Sequence, residues 1–264
     1  LYVKGQSRKY GRLFPNVDFT FPIGKAKFTL SYEAKTKRPL YSQLSSSIQY
    51  DDCFTYETGN PLLTSAQIHN VSIAGIYKWV FFSATYTYDK DAIISVIRPY
   101  KPDAPQNIMT YDNFNHLSKY DIVVSLSPRI SRWSPRLRLN LSGQHFSMET
   151  KNGIKKLNTP ILFFNFFNNV SLGKGFNVTG EISGRTRGDM DVVTLKPSWQ
   201  VNVGASKSIK NWFFQLQATD IFKTSRSSMV TYGTQMTLDK WNYSDTQALR
   251  LIIRYSFNTT MSKY

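Results

Sequence analysis

The residues with the greatest reach for chemistry in this 264-residue chain are three histidines, His69, His116 and His145, and a single cysteine, Cys53. Imidazoles bind metals and move protons near neutral pH. A ligand set normally shows close spacing, such as two histidines three residues apart or paired cysteines. These histidines are too scattered for that, and no metal or other cofactor is expected. Gly173-Lys174-Gly175 with Gly180 has the outline of a phosphate-cradling loop, but such a loop needs a helix after it. Phe176, Val178 and Ile182 follow in alternation instead, so a hairpin turn is expected. Ser46 and Ser47 lack the Gly-x-Ser-x-Gly elbow of a hydrolase. No catalytic residue is expected.

Elements that could position anything must come from the pattern of apolar residues. The chain is 41% hydrophobic and 15% aromatic, enough for a folded structure and unlike a disordered basic tail. One cysteine forbids an internal disulfide framework but leaves the redox compartment open. The longest apolar runs, Trp79 to Phe82 and Ile161 to Phe164, fall far short of the ~20 residues of a membrane-spanning helix. Leu1-Tyr2-Val3-Lys4 does not open a secretory leader. Either the leader has been removed or the chain is a fragment.

Apolar side chains recur at every second position, the spacing of one face of a β-strand. Phe28, Leu30, Tyr32 and Ala34 form one such stripe; Leu137, Leu139 and Leu141 another; Phe176, Val178 and Ile182 a third. Val193, Leu195, Trp199, Val201 and Val203 continue the pattern, as do Trp212, Phe214, Leu216 and Ala218, then Leu251, Ile253, Tyr255 and Phe257. Lys27, Glu33, Lys35, Arg138, Glu181, Lys196, Arg250 and Arg254 all fall on the opposite parity. A charge facing lipid at the bilayer midplane costs about 2–4 kcal/mol, so this parity is what a lipid-facing stripe requires.

A soluble sandwich also alternates. Three features favour an antiparallel transmembrane β-barrel. The stripes run roughly 9 to 12 residues, the length of a tilted spanning strand. Aromatics gather near segment ends, as in Tyr77 with Trp79, Tyr86 with Tyr88, and Trp212. Connections alternate between tight (Gly24-Lys25, Tyr77-Lys78, Gly173-Lys174-Gly175) and extended (Arg38 to Leu63, Tyr100 to Gln106). Closure would remove the unpaired strand edges that hydrocarbon penalises.

Eleven strand arms are expected, near 13–22, 27–37, 64–77, 79–99, 106–128, 136–150, 158–172, 175–186, 191–204, 212–231 and 234–257, after a stump at Leu1 to Gln6. Bulges or splits at Asp89-Lys90-Asp91 and at His116 to Lys119 would raise the count to about fourteen. Single-chain bacterial barrels have even strand numbers, so an odd count implies an incomplete, C-terminal portion of a larger barrel.

Several motifs resemble those of the TonB-dependent outer-membrane receptors, and specifically the outer membrane protein β-barrel family close to them. They are Leu13-Phe14-Pro15; Arg38-Pro39 with Tyr41 and Leu44; Tyr56 with Gly59-Asn60-Pro61 and Leu63; Asp220-Ile221-Phe222; and Arg250-Leu251 through Arg254-Tyr255-Ser256-Phe257. Ser45 and Thr64 depart from the turns usual in that family. The resemblance implies an all-β segment over residues 1–257 of a barrel of about 22 strands, with 258–264 as a tail. It implies nutrient uptake in the outer membrane, with lipid and lipopolysaccharide around the barrel and the TonB system engaged through a missing N-terminal region. It also gives Tyr255 and Phe257 the role of a barrel-assembly signal.

Two rival functions stay in view, a passive porin and a soluble basic β-protein that binds nucleic acid. The net charge of +16 would suit nucleic acid, but such a domain has no use for lipid-length stripes. Loop lysines such as Lys151, Lys155 and Lys156 fit anionic lipid and a hydrated lumen instead. Arg138, Lys196, Arg250 and Arg254 read as inward solvated charges or as a path for an anionic solute. The loop Arg38 to Leu63 carries Tyr41, Tyr50, Phe54 and Tyr56, which either bind an external ligand or fold over the barrel mouth.

Overall fold

The computed structural model describes residues 13–101, 105–242 and 244–257. The expected stump at Leu1 to Gln6 and the tail 258–264 lie outside them. Strand β1 (Asn16–Ile23) turns at Gly24-Lys25 into β2 (Ala26–Lys37). The outer excursion that follows holds one helical turn, α1 (Tyr41–Leu44), and the short strands β3 (Gln49–Asp52) and β4 (Thr55–Glu57). Next come β5 (Ala66–Tyr77), β6 (Val80–Pro99), β7 (Asn107–Leu126), β8 (Arg136–His145), β9 (Ser147–Thr150) and β10 (Gly153–Lys156). The remainder are β11 (Ile161–Gly173), β12 (Phe176–Arg185), β13 (Gly188–Met190), β14 (Val193–Leu195), β15 (Ser198–Ile209), β16 (Trp212–Thr219), β17 (Ser227–Tyr232), β18 (Thr237–Asn242) and β19 (Ala248–Tyr255).

Eleven of these form one path, β1-β2-β5-β6-β7-β8-β11-β12-β15-β16-β19, each paired antiparallel with its neighbours. The end strands do not pair with each other, so the sheet is open. The expected tight turns carry left-handed residues at Gly24, Lys78, Lys174 and Gly175, and a further turn carries one at Lys210, all with φ between 48° and 75°. Among the described residues no helix is long and apolar enough to cross a membrane.

Registration converts the sequence stripes into continuous bands. Phe21, Phe28, Gly75, Phe82, Val124, Leu139, Phe164, Gly184 and Trp199 lie opposite one another across nine strands. Residues directly opposite share a face. A neighbouring row runs Phe19, Leu30, Ile73, Ala84, Ile122, Leu141 and Leu162. Another runs Val170, Val178, Ala205, Leu216 and Leu251. Leu30, Leu216 and Leu251 are 46%, 48% and 64% exposed, so among the described residues no other layer covers this face, and hydrocarbon is the solvent that suits it. Two glycines in the bands are covered by aromatic rings. A Cβ on Gly75 would meet the Phe28 ring at 2.6 Å, and one on Gly143 the Tyr120 ring at 2.2 Å.

The buried core lies elsewhere, above the bands. Ala92, Ile94, Leu117, Phe146, Met148, Leu157 and Val192 pack together with Phe114, Val193 and Tyr232. The small sheets β9-β10 and β13-β14-β17-β18 belong to this outer layer. The transition falls at Asp91, which has φ 55°. The ladder passes from Lys90–His116 to Ala92–Phe114 without pairing Asp91 to Asn115. Below that point Phe82, Ala84, Tyr86 and Tyr88 take the outward parity. Above it Ala92 and Ile94 join Leu117, which has the lumen's parity. The alternation changes phase without interrupting the strand, and no break occurs at His116 to Lys119.

Four expected arms are corrected at their outer ends. The arm 191–204 breaks between β14 and β15 at Lys196-Pro197 because proline cannot donate to the ladder. The arm 212–231 breaks at the Asp220 corner, and 234–257 separates into β18 and β19. The arm 136–150 likewise divides into β8 and β9.

Candidate functional site

The lumen face is polar and hydrogen-bonded from strand to strand. Asn70 donates to Glu33 at 3.2 Å, and Thr87 donates to Asn70 at 2.8 Å. Further round, Asn165 and Asn202 donate to the two oxygens of Glu181 at 2.5 and 3.1 Å, and the Asn202 side chain accepts from the Asp220 N–H at 2.9 Å. Basic groups line the same face. The Arg136 guanidinium sits 4.6 Å from the Phe167 ring centre and that of Arg254 5.3 Å from Phe213, while Arg138 and Arg250 share their parity. Lys196, expected with them, is instead held in the outer layer. Its ammonium donates to both oxygens of Asp239 at 2.9 Å and lies 3.8 Å from the Trp241 ring centre.

The outer layer is tied across the lumen's upper end. Lys119 of β7 pairs with Asp191 at 2.7 Å. Gln144 of β8, almost wholly buried, donates to the carbonyls of Leu157 and Asp191 and accepts from the Asp191 N–H. Gly233, just past β17, approaches β6 so closely that a Cβ would lie 2.3 Å from the Ile97 carbonyl oxygen. These ties and the apolar core make a packed cap over this part of the wall.

The loop residues expected to bind ligand are brought partly together. Tyr50 and Tyr56 rings meet edge to face at 6.1 Å, and Tyr56 lies 4.9 Å from Tyr100. Tyr41 lines a separate cavity of about 460 Å³ with Gln49, Glu57, Ser95 and Tyr111. Phe54 is exposed beside Cys53 in the β3–β4 turn. The loop crosses to the far edge of β7, where β4 pairs parallel with Asn107–Met109. Gly59 and Asn60 fasten it: their N–H groups donate to the carbonyls of Ser45 and Gln43, and the Asn60 side chain donates to the Tyr111 carbonyl.

Asp220 was part of a sequence motif without a physical role. Its buried carboxylate accepts from the N–H groups of Thr224 and Ser225 and from the hydroxyls of Thr224 and Thr246. Burial alone would raise its pKa; these hydrogen bonds win and hold it below the usual carboxylate value. The corner thereby joins the end of β16 to the lead into β19. Tyr255 stacks edgewise on Trp212 at 4.8 Å and on Phe257 at 4.6 Å.

The histidines, scattered in sequence, are gathered by the register onto the outward upper rim. Each meets a tyrosine: His69 with Tyr32, His116 with Tyr88, His145 with Tyr120, at 6.3, 6.5 and 6.3 Å between ring centres. Their sequence spacing gave no sign of this; the strand register alone sets it. Among the described residues no group of three or more His, Cys, Asp or Glu side chains is placed to hold a metal.

An open antiparallel sheet, apolar outside and polar within, is a wall of an outer-membrane β-barrel. The chain belongs to the outer membrane protein β-barrel family, matched over residues 3–257. It is an outer-membrane protein. Its fold is similar to that of the ferric enterobactin receptor of Pseudomonas aeruginosa. One mutant structure of that receptor covers 92% of this chain at 14% identity and TM-score 0.53. A second, in complex with enterobactin, covers 81% at 15% identity and TM-score 0.54. This chain spans 40% and 35% of those receptor chains. No curated protein matches it.

Proposed function

We propose that this chain is the C-terminal barrel portion of a TonB-dependent type receptor that imports a small nutrient and catalyses no reaction. In this reading residues 1–257 are barrel wall and 258–264 a tail, with the plug and TonB contact supplied by a region outside these 264 residues. The observation that carries it is a polar, basic lumen face beneath a packed cap. A passive pore needs an open mouth, whereas a receptor captures first and opens later. Tyr41, at the cavity between the outer loop and the β6–β7 hairpin, and the Tyr50-Tyr56-Tyr100 cluster nearby are the capture surface. Aromatic anchors of this kind carry much of the energy in recognition.

The similar receptor was solved with enterobactin, so the ferric enterobactin chelate is the first ligand to try. The test uses the full-length protein in Gram-negative cells with and without functional TonB, and the purified protein in planar bilayers. The expected result is chelate uptake that requires TonB, without steady ion conductance. Tyr50→Ala with Tyr56→Ala should weaken chelate binding about tenfold. Free conductance with TonB-independent uptake would replace the receptor by the porin.

A further inference from the structure

Pairing of β7 with β8 stops at Ser118–His145, and above it the strands part around a groove of about 410 Å³. Phe114 and Phe146, edge to face at 5.1 Å, contribute its apolar lining. His116, His145 and Lys156 are its basic groups, and among the described residues no carboxylate lines it. Lys90, directly across the ladder from His116, adds a further cation. His116 and His145 share the outward parity of Tyr88 and Tyr120; His116 stacks on Tyr88, and His145 lies tilted against Tyr120.

The height of this groove selects its partner. Tyr88 stands ten residues along β6 from the Lys78 turn, roughly 23 Å above it for a strand rising about 3.3 Å per residue at about 45° tilt. The apolar band of an outer-membrane barrel is about 25 Å tall, so the groove opens at the outer headgroup level. Donors without acceptor charge, facing outward at that level, match a phosphate oxygen.

We infer that this groove binds a phosphate of an outer-leaflet glycolipid. The His116 and His145 ring N–H groups and the Lys156 ammonium donate to the phosphate oxygens. The acyl chains run down over the outward row at Tyr120 and Ile122. The inference rests on the outer-membrane placement and not on nutrient uptake, so each can fail while the other stands.

The test loads the full-length protein into phosphatidylcholine nanodiscs doped with diphosphoryl lipid A or with its dephosphorylated form. Lipid retained after detergent extraction is then counted by native mass spectrometry. Wild-type protein should retain the diphosphoryl form about tenfold better. The His116→Gln/His145→Gln/Lys156→Gln variant should lose that preference, while Lys174→Gln, in a turn at the other membrane face, should keep it. Lys156→Glu alone should reverse part of the preference, and it serves if the triple variant fails to fold by heat-shift electrophoresis. Equal retention of both lipids, or an unchanged preference in the triple variant, overturns the inference. Complete displacement by inorganic phosphate alone would overturn the lipid as occupant.

Discussion

Asp220 shows how a motif residue acquires a physical role once its neighbours are known. Its carboxylate satisfies the Thr224-Ser225 turn and the Thr246 hydroxyl together, so ionisation of the group stabilises the corner. A depressed folded-state pKa contributes stability above the unfolded value of about 3.9, and that stability is lost as pH falls through the folded pKa. Limited proteolysis of the corner at stepwise lower pH should therefore show cleavage near Phe222-Lys223 rising only in strong acid. Asp220→Asn should be cut faster at neutral pH and show little further change on acidification. The sequence marked Asp220 through its resemblance but held no sign of Thr246 as partner, because that contact spans 26 residues. The histidine–tyrosine rim was hidden for the same reason: three single residues carry no local spacing, and only register sets them side by side.

At the scale of the strand, most of what matters was legible. Parity needs only a period of two, and it placed Glu33, Arg138, Glu181, Arg250 and Arg254 on the lumen side before any register was known. Eleven arms were expected and the main path has eleven. The outer ends misled because β14, β17 and β18 keep a strand-like pattern while leaving the main sheet, and a period of two does not say which sheet a strand joins. Adjacent residues on one strand give a direct test. Leu216→Arg places a guanidinium in lipid and should cost about 2–4 kcal/mol near the midplane, whereas Gln217→Arg, facing the lumen beside Arg250, should cost under about 1 kcal/mol. Urea unfolding of the full-length protein in lipid vesicles measures both.

The whole molecule combines two folding regimes, a spanning wall whose apolar side chains face out and a cap whose apolar side chains face in. Leu157 is wholly buried in the cap. Leu157→Ala should cost about 2–5 kcal/mol there and leave the wall intact. Proteolysis of the outer loops should speed up while the heat-shift of the barrel on gels stays as in the wild type. Equal loss of both would mean that cap and wall unfold as one unit. The cap was the least legible part of the sequence. Its core draws Ala92 and Ile94 from β6, Leu117 from β7, Met148 from β9 and one residue from each of three connections, a scattered set with no shared periodicity to read.

The phase change at Asp91 and Asn115 gives the long hairpin a built-in waterline. A chain crossing from oil into water must exchange the side on which its greasy residues are sheltered, and a slip of one residue on each strand accomplishes that without surrendering a hydrogen-bonded ribbon. Lengthening either strand by one residue beneath that mark would turn the wall inside out up to the mark; the same insertion above it would disturb only the crown.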